Sequence, residues 1–389
     1  MYKILTLNNI SPIGLEKFPT DLYQISDDET SPDAIILRSF KMHDMPIPDS
    51  LKAVGRAGAG VNNIPLDAMS KAGIPVFNAP GANANAVKEL VIASLFLAAR
   101  NISEAIKYTE GLQGDDAELG KLVEAGKKKY AGFELPGRTI GVVGLGAIGR
   151  MVANTCVDLG MNVVGFDPGL TVDGAWQLSA QVERANSVDE MLSKVDFITV
   201  HVPLIDATRD LINADNVQKM KATAVVINLA RGGIINDAAV CDAIDAGKLG
   251  CYVTDFPNNR TKQTPQVIGL PHLGASTGEA EDNCAVMVAN QVRDYLETGN
   301  ITNSVNFPNV SMPRGTDYRL VVCNQNVPNM VGQISTILAD ANLNINDMIN
   351  QSRGDVAYTI VDVDSEIPSD VINTIKQLDG VMIARTIQA

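Results

Sequence analysis

Apolar and polar positions alternate over the first 300 residues in the manner of α/β domains. Short apolar runs at Lys3–Leu7, Ala34–Leu37 and Ala53–Gly55 are separated by stretches with helical periodicity. Strands that alternate with helices favour a parallel sheet covered by helices on both faces. A longer stretch from Ala86 to about Ile106 is apolar over much of its surface, which predicts a helix buried between layers.

The pattern becomes most regular from Thr139 onward, where a strand, a glycine turn, a helix and a second strand follow one another. Further strands are predicted at Phe197–His201, Ala224–Asn228, Cys251–Thr254 and Val267–Gly269. Helical stretches lie between them. This order predicts a second parallel sheet.

The C-terminal stretch has a different pattern. The segment Asn300–Thr316 is rich in Asn, Pro and Ser and is interpreted as a linker. After it come a strand, a helix, two strands, a helix and a strand. Strands are predicted at Tyr318–Cys323, Val356–Asp362 and Val381–Ile387, and helices at Met330–Ala341 and Ser369–Leu378. The second strand in this order has no predicted bounds. This βαββαβ order predicts a ferredoxin-like unit.

Composition narrows the function classes. A hydrophobic fraction of 46% and a charged fraction of 20% are typical of a soluble globular protein. A formal charge of −14 argues against a nucleic-acid binder, so an anionic ligand has to be held by a few local cations. No apolar run approaches the roughly 20 residues that span a bilayer, and no signal peptide is apparent, so we expect a cytoplasmic protein without membrane partners.

The five cysteines, Cys156, Cys241, Cys251, Cys284 and Cys323, are scattered and odd in number. They show no spacing typical of a metal site or a redox pair. We therefore expect reduced, mostly buried thiols and no bound metal.

The glycine turn carries the first chemical signal. Gly144, Gly146 and Gly149 form a G-x-G-x-x-G motif that directly follows a strand and opens a helix, which is the context of a dinucleotide site. The next strand ends at Asp167, close to the offset at which a carboxylate binds the adenine ribose. A carboxylate there repels a 2′-phosphate, which favours NAD over NADP.

Several motifs in order resemble the D-2-hydroxyacid dehydrogenases, and within them the D-3-phosphoglycerate dehydrogenase branch. They are LRS (37–39), RAGAGVNNI (56–64), AGIPVFNAPGANANAVKEL (72–90), GLGAIG, HVPL (201–204), INLARGGIIN (227–236) and LPHLGAST (270–277). The resemblance implies two Rossmann-like doubly wound domains with the chemistry in the cleft between them. The substrate domain would comprise 1–90 and 275–305, and the NAD-binding domain 91–274.

The resemblance also assigns site residues. Arg231 corresponds to the carboxylate-binding arginine and His272 to the acid–base histidine. The implied substrate-binding residues are Arg38, Ser39, Arg56 and Asn83. The implied cofactor-binding residues are Gly144, Gly146, Ala147, Ile148, Gly149, Asp167, Val202, Pro203, Ala230, Arg231, Asp255, His272 and Gly274.

One position departs from the family pattern. The family places a glutamate shortly after the position of Asp255, and this chain reads TDFPNNRTKQTPQ there, with Asn259 or Arg260 at the aligned position. The histidine therefore lacks its usual carboxylate partner in the sequence.

The unit at 318–389 resembles the ACT domain, a ligand-sensing module that pairs across subunits. The aligned effector positions are Asn324, Asn326 and Asn344, and Asn329 replaces the usual glycine after Pro328. The resemblance implies L-serine as an effector and a homodimer or homotetramer. A purely structural dimerisation role remains the alternative.

Taken together, these features predict oxidation of D-3-phosphoglycerate to 3-phosphohydroxypyruvate with NAD, the first step of L-serine biosynthesis. Two alternatives stay open. One is a reductase of glyoxylate, hydroxypyruvate or another small 2-keto acid, and the other is an NAD-sensing protein similar to the C-terminal-binding-protein corepressors.

Overall fold

The computed structural model describes residues 1–388, which divide into two compact units. One unit contains residues 1–83 and 278–388, and the other contains residues 84–277. The C-terminal sheet thus belongs to the same compact unit as the N-terminal sheet. The division into three domains with boundaries at 90, 275 and 318 remains a prediction.

Residues 1–83 form a five-stranded parallel sheet with the order β2-β1-β3-β4-β5. Its elements are β1 (Tyr2–Leu7), α1 (Pro12–Leu15), β2 (Tyr23–Ser26), β3 (Ala34–Leu37), β4 (Ala53–Arg56), α2 (Leu66–Lys71) and β5 (Val76–Phe77). The sequence did not predict the two edge strands. Only Tyr23 is buried in β2, and β5 has two residues, so neither carries a clear apolar pattern.

Residues 84–277 form a seven-stranded parallel sheet with the order β12-β11-β10-β9-β6-β7-β8. Its elements are α3 (Ala84–Ala99), α4 (Ile102–Glu110), α5 (Asp116–Gly126), β6 (Thr139–Val143), α6 (Ala147–Asp158), β7 (Asn162–Phe166), α7 (Val172–Trp176), β8 (Val182–Arg184), α8 (Val188–Leu192), β9 (Phe197–Val200), β10 (Val225–Asn228), α9 (Asp237–Asp245), β11 (Cys251–Thr254), α10 (Asn259–Gln263) and β12 (Val267–Gly269). The chain winds outward from β6 to β8 and then returns to place β9 on the other side of β6. This reversal creates the crevice in which doubly wound folds bind ligands.

The long helix predicted from Ala86 to about Ile106 is in fact two helices. Helix α3 buries seven of its residues, as expected of an element inside the layers. Helix α4 buries none. Between them Asn101 has a left-handed backbone with φ 50°, and a right-handed helix cannot pass through that conformation unbroken.

Residues 278–388 begin with a long helix and end in a four-stranded antiparallel sheet of order β14-β15-β13-β16. The elements are α11 (Gly278–Thr298), β13 (Tyr318–Gln325), α12 (Met330–Asp340), β14 (Ile345–Arg353), β15 (Val356–Val363), α13 (Ser369–Lys376) and β16 (Val381–Gln388). This is the βαββαβ order expected from the sequence.

Both faces of the C-terminal sheet are buried at its central strands β13 and β15, whereas the edge strand β14 has no buried residue. All eight residues of β15 are buried, including polar Thr359 and Asp362. Leu320 and Val322 face α12 and α13, while Val321 and Tyr358 join the core that contains α11.

The segment Asn300–Thr316 is not a loose linker, contrary to the interpretation of its sequence. It contains no helix or strand, but Ile301, Phe307, Val310 and Met312 are buried in the core around α11. The Asn, Pro and Ser residues of this segment are consistent with its irregular backbone path. Four apolar side chains hold that path in place.

A buried ion pair fixes the C-terminal sheet to this segment. Arg319 and Asp362 on neighbouring strands are fully buried, with Nε to Oδ1 at 2.6 Å and Nη2 to Oδ2 at 2.8 Å. The remaining guanidinium donors bind the carbonyl oxygens of Thr298, Met312 and Pro313. Burial alone raises the pKa of Asp362, but the hydrogen bonds from Arg319 and from the Gly315 amide outweigh it and hold that pKa below its usual value.

This arrangement predicts a large stability cost for breaking the pair. Asp362→Asn leaves a buried guanidinium without its counter-charge, so we expect the free energy of unfolding to fall by about 3 kcal/mol or more. Urea denaturation measures it. Asp340→Asn on the exposed face of α12 is the control and should change stability by less than about 0.5 kcal/mol. Equal stabilities for the two variants would contradict this account of the pair.

Candidate active site

The glycine loop lies at the carboxyl end of β6, where the winding of the seven-stranded sheet reverses. Gly144 has φ 87°, and a Cβ there would lie 2.6 Å from the carbonyl oxygen of His201. A Cβ on Gly149 would lie 1.8 Å from the carbonyl oxygen of Gly144. These two glycines are required by close packing of loop, helix and strand.

Gly146 is different, because a Cβ there would meet nothing within 4 Å. It precedes Ala147 and Ile148 in the first turn of α6, whose amide groups have no acceptor within the helix. Both Gly146 and Ala147 are exposed. Packing does not explain this glycine, whereas a pyrophosphate resting on the helix N-terminus does.

Asp167 follows β7 and braces the same loop. Its Oδ2 accepts a hydrogen bond from the Leu145 amide at 2.8 Å, and its Oδ1 accepts one from the Gly169 amide at 2.8 Å. The predicted ribose ligand is therefore also a structural support of the glycine turn. Sequence spacing alone did not show this second role.

Arg231 projects from the turn after β10. The buried side chain of Asn228 shapes that turn, because its Nδ2 donates to the Arg231 carbonyl at 2.8 Å and its Oδ1 accepts from the Ala230 amide at 3.2 Å. The guanidinium is exposed and one of its nitrogens donates to the Ala230 carbonyl. Asn228 is a positioning residue that the sequence analysis did not identify.

His272 lies in the turn after β12 and has a left-handed backbone with φ 56°. Asp255, which is 2% exposed, accepts hydrogen bonds from the amides of Leu273 at 3.0 Å and Gly274 at 2.7 Å. The imidazole is exposed and packs against the Phe256 ring, with 5.0 Å between the ring centroids. A buried carboxylate therefore fixes the turn that presents the histidine.

Contacts within the unit bring these turns together. A Cβ on Gly274 would lie 3.1 Å from Asp255 Oδ2 and 3.6 Å from the Leu229 carbonyl oxygen, beside the turn that carries Arg231. Val202, which precedes Pro203, lies against Gly144, because its Cγ1 would be 2.8 Å from a Cβ there. The predicted cofactor and catalytic residues thus lie on turns at the carboxyl ends of β6, β7, β9, β10, β11 and β12.

His201, at the end of β9, is a second histidine of this region. Its Nε2 lies 3.1 Å from Thr199 Oγ1, and its Nδ1 is buried without a hydrogen-bond partner among residues 1–388. Burial lowers the pKa of His201 to about 4. It is therefore neutral near pH 7.

The predicted substrate-binding residues lie in the other unit, at the carboxyl ends of β3, β4 and β5. Arg38 and Ser39 follow β3, Arg56 ends β4, and Asn83 lies beyond β5. The loop after β3 is held by Asn8, whose Oδ1 accepts from the amides of Ser39 at 2.9 Å and Phe40 at 2.7 Å.

Arg56 is oriented by its neighbours. Its Nε donates to the Arg38 carbonyl at 3.0 Å, and a Cβ on Gly58 would lie 1.9 Å from its Nη1. The glycine in the RAGAG motif therefore leaves room for the guanidinium. The sequence analysis did not assign Gly58 or Asn8 a role.

Arg38 forms an ion pair that the sequence did not predict. Its Nη1 lies 2.6 Å from Oε1 of Glu281 on α11, and both side chains are more than one-third exposed, at 39% and 45%. The carboxylate of Glu281 thus pairs with Arg38, the cation that we expected to bind an anionic substrate.

The three predicted effector residues do not meet within one chain. Asn324 and Asn326 lie at the end of β13, whereas Asn344 precedes β14, beside Asp364 at the end of β15. Because β15 pairs with β13 in antiparallel register, Asn344 is near Tyr318, about 20 Å along the sheet from Asn324.

Comparison with known proteins identifies the family. The NAD binding domain of the D-isomer specific 2-hydroxyacid dehydrogenases matches residues 92–274. A D-3-phosphoglycerate dehydrogenase of Haemophilus influenzae is 32% identical over 350 residues, covering 87% of this chain and 81% of the relative. One from Methanocaldococcus jannaschii is 37% identical over 268 residues, covering 67% of this chain and 49% of the relative, so the chain matches about half the length of that protein.

The chain belongs to the D-isomer-specific 2-hydroxyacid dehydrogenase family. Solved structures agree on the fold. D-mandelate dehydrogenase of Rhodotorula graminis aligns with a TM-score of 0.67 at 22% identity, covering 80% of this chain and 99% of that chain. A D-2-hydroxyisocaproate dehydrogenase aligns with a TM-score of 0.64 at 20% identity, covering 78% and 99%.

The residues of this unit fit NAD. The glycine loop leaves open space at Gly146, the start of α6 offers amide donors, and Asp167 lies beside that loop through its bond to the Leu145 amide. Among residues 1–388 no group of metal-ligating side chains occurs. In the same range no helix combines the length and apolar character needed to cross a membrane.

Arg260 is one of the two residues that align with the missing family glutamate. Arg260 turns toward α9, where its Nη2 lies 2.7 Å from Asp242 and 2.6 Å from Asp245, and these bonds raise the pKa of Arg260. Its guanidinium is therefore not directed at His272. Within residues 84–277 no carboxylate pairs with the His272 ring, so the histidine lacks a charged partner in its own unit.

The position of Asp167 predicts cofactor selectivity. Repulsion of a 2′-phosphate should make kcat/KM with NAD at least about 10-fold higher than with NADP. Asp167→Asn removes the charge but keeps one of the two oxygen acceptors of the loop. It should therefore lower the ratio of kcat/KM with NAD to kcat/KM with NADP. Steady-state kinetics with both cofactors measure it, and Asp173→Asn on exposed α7 is the control. A wild-type enzyme that uses both cofactors equally would overturn the assignment of Asp167.

Proposed function

We propose that this protein oxidises D-3-phosphoglycerate to 3-phosphohydroxypyruvate with NAD, the reaction that opens L-serine synthesis, in the cytoplasm. The observation that carries the proposal is the placement of Arg231 and His272 on adjoining turns beside a dinucleotide-type glycine loop. Relatives of 30% to 37% identity named D-3-phosphoglycerate dehydrogenase support the choice of substrate.

The chemistry divides between two side chains. NAD, when bound, supplies the hydride acceptor. Neutral His272 takes the proton of the C2 hydroxyl, and the backbone of its turn is fixed by Asp255 so that the imidazole reaches a defined position. Arg231 binds the substrate carboxylate through two parallel hydrogen bonds and stabilises the carbonyl oxygen as it forms.

The substrate phosphate needs a cation in a protein with a formal charge of −14. Arg38 and Arg56 supply two guanidinium groups on neighbouring loops, linked by the bond from Arg56 Nε to the Arg38 carbonyl. We assign them, with Ser39 and Asn83, to phosphate and substrate binding. This assignment favours 3-phosphoglycerate over unphosphorylated 2-hydroxyacids.

The first test combines substrate choice with two substitutions. NADH oxidation should be more efficient with 3-phosphohydroxypyruvate than with hydroxypyruvate, glyoxylate or 2-oxoglutarate. His272→Asn should lower kcat by about 100-fold or more because it removes the acid–base group. Arg231→Lys should lower kcat/KM by about 10-fold or more, because one ammonium does not reproduce the two parallel bonds.

Fluorescence titration should show that the His272→Asn variant still binds NADH, with a loss of affinity far smaller than the loss of kcat, which separates catalysis from cofactor binding. His43→Asn is the matched control, since His43 is exposed and bonds only to the Asn62 carbonyl. Wild-type preference for glyoxylate or hydroxypyruvate would instead support a reductase, and absence of turnover with every substrate would support an NAD-sensing protein.

The second test concerns Glu281, which competes with the substrate phosphate for Arg38. Exposed ion pairs contribute about 0.2–1 kcal/mol, so Glu281→Gln should lower the KM for 3-phosphoglycerate by about 1.4- to fivefold with little change in kcat. Glu279 on the same helix forms no ion pair among residues 1–388, so Glu279→Gln should leave KM unchanged. A higher KM in Glu281→Gln would show that Glu281 supports substrate binding instead.

We further propose that the C-terminal sheet is an ACT domain that senses L-serine between two copies of the chain in a homodimer or homotetramer. The side-chain amide of buried Asn324 donates to the Gln325 carbonyl at 2.6 Å, while its Oδ1 has no partner among residues 1–388. An unpaired buried acceptor suits the ammonium group of an amino acid. The distance between Asn324 and Asn344 requires that a second copy complete the site.

Calorimetry tests this proposal. L-serine should bind with millimolar or tighter affinity and reduce activity, and Asn344→Ala should weaken binding. D-serine and the Asn373→Ala variant, on the exposed side of α13, serve as controls. No heat and no inhibition with L-serine would leave the C-terminal sheet with a structural role only.

A further inference from the structure

A polar cavity that is open to solvent lies between β14, the segment after β5 and the segment that follows α11, all within the unit of residues 1–83 and 278–388. The side chains of Asn309 and Arg353 in its lining are exposed. Its volume is about 580 Å³, which suits a small metabolite. Its lining includes Asn78, Asn309, Gln351, Ser352 and Arg353. Arg38, Ser39, Arg56 and Asn83 do not line it, so it is separate from the proposed phosphate-binding residues.

The charge of this cavity is positive although the whole chain is strongly acidic. Among residues 1–388, Arg353 is the one charged residue of the lining, and no carboxylate lines the cavity. Its Nη1 donates to the carbonyl oxygens of Ser304 at 2.9 Å and Phe307 at 3.4 Å. Among residues 1–388 the Nε and Nη2 donors have no acceptor, and no carboxylate pairs with this arginine. The guanidinium is thus oriented by the backbone and left with unused donors.

A second donor is oriented in the same way. The Oδ1 atom of Asn309 accepts a hydrogen bond from the Asn303 amide at 3.0 Å, which fixes the rotation of the side-chain amide. The Nδ2 group therefore points away from that amide, and it has no acceptor in the described chain. Gln351 and Ser352 add neutral donors beside Arg353. One guanidinium with several neutral donors and no carboxylate is the donor set that recognises an anion.

We propose that this cavity is a binding site for a small anion bearing a carboxylate or phosphate group. Arg353 supplies the charge, and the Asn309 amide supplies a directed hydrogen bond. The site needs only one chain, unlike an amino-acid site between paired C-terminal sheets. It also places the anion against Asn78 and Pro80, in the segment that leads from β5 to Asn83.

The experiment measures binding to the intact protein by calorimetry, with inorganic phosphate and malonate as probes in separate titrations. Asn309→Asp keeps the acceptor oxygen for the Asn303 amide but replaces the donor with a negative oxygen. We expect this variant to weaken binding of the preferred probe by about 10-fold or more. Arg353→Gln should have a similar effect, and Lys376→Gln on α13 is the control for loss of one positive charge.

The two probes distinguish phosphate from carboxylate ligands. Tighter binding of inorganic phosphate would indicate a phosphate ligand, and tighter binding of malonate a carboxylate ligand. The titrations measure binding without turnover, so their result does not depend on the proposed reaction. Unchanged kcat/KM for Asn309→Asp without added anion would in addition separate this site from the proposed catalytic residues. If neither anion binds, or if Asn309→Asp and Lys376→Gln bind both probes like the wild type, the site does not exist.

Discussion

Every proposed catalytic group depends on one constraint, which is that the strands of both N-terminal sheets run parallel. In a parallel sheet all strands end at the same edge, and the turns that follow them become neighbours even when they are far apart in sequence. Gly144, Asp167, Arg231 and His272 are spread over more than a hundred residues and still lie at one edge of the seven-stranded sheet. The same constraint brings Arg38 and Arg56 together at the edge of the five-stranded sheet.

Polar side chains at these strand ends hold the backbone of the turns in place. Asn228, Asp167 and Asp255 each bind backbone groups of the turns that carry or adjoin the functional residues. Such bonds hold the turns in one geometry. A substitution at any of these three positions therefore alters the position of a neighbour rather than only removing a ligand contact.

The C-terminal sheet is integrated with the core of its unit and is not attached by a tether. Arg319 and Asp362 are buried together, and Arg319 also binds the carbonyl oxygen of Thr298 at the end of α11 and two carbonyl oxygens of the segment between α11 and β13. Arg385 adds bonds to the carbonyls of Tyr295 and Leu296 at the end of α11. Hydrogen bonds thus connect this sheet directly to the C-terminal end of α11.

The sequence by itself determined the α/β pattern, the glycine turn and the βαββαβ order, because each leaves a local record. The apolar run Thr139–Val143 predicts the strand, and Gly144, Gly146 and Gly149 after it predict the turn. The proposed catalytic pair, Arg231 and His272, was assigned from the family motifs rather than from physical reasoning. Strand ends after apolar runs, at β3 and β10, were also readable within a residue or two.

Only the tertiary structure decided which charges face one another. The pairs Arg38–Glu281, Arg319–Asp362 and Arg260 with Asp242 join residues whose sequence spacing carries no signal. The burial of the segment Asn300–Thr316 and the break at Asn101 were equally hidden, since composition and periodicity describe a segment alone and not the surface it packs against. Local pattern specifies elements, whereas the partners of a long side chain follow from how distant elements are brought together.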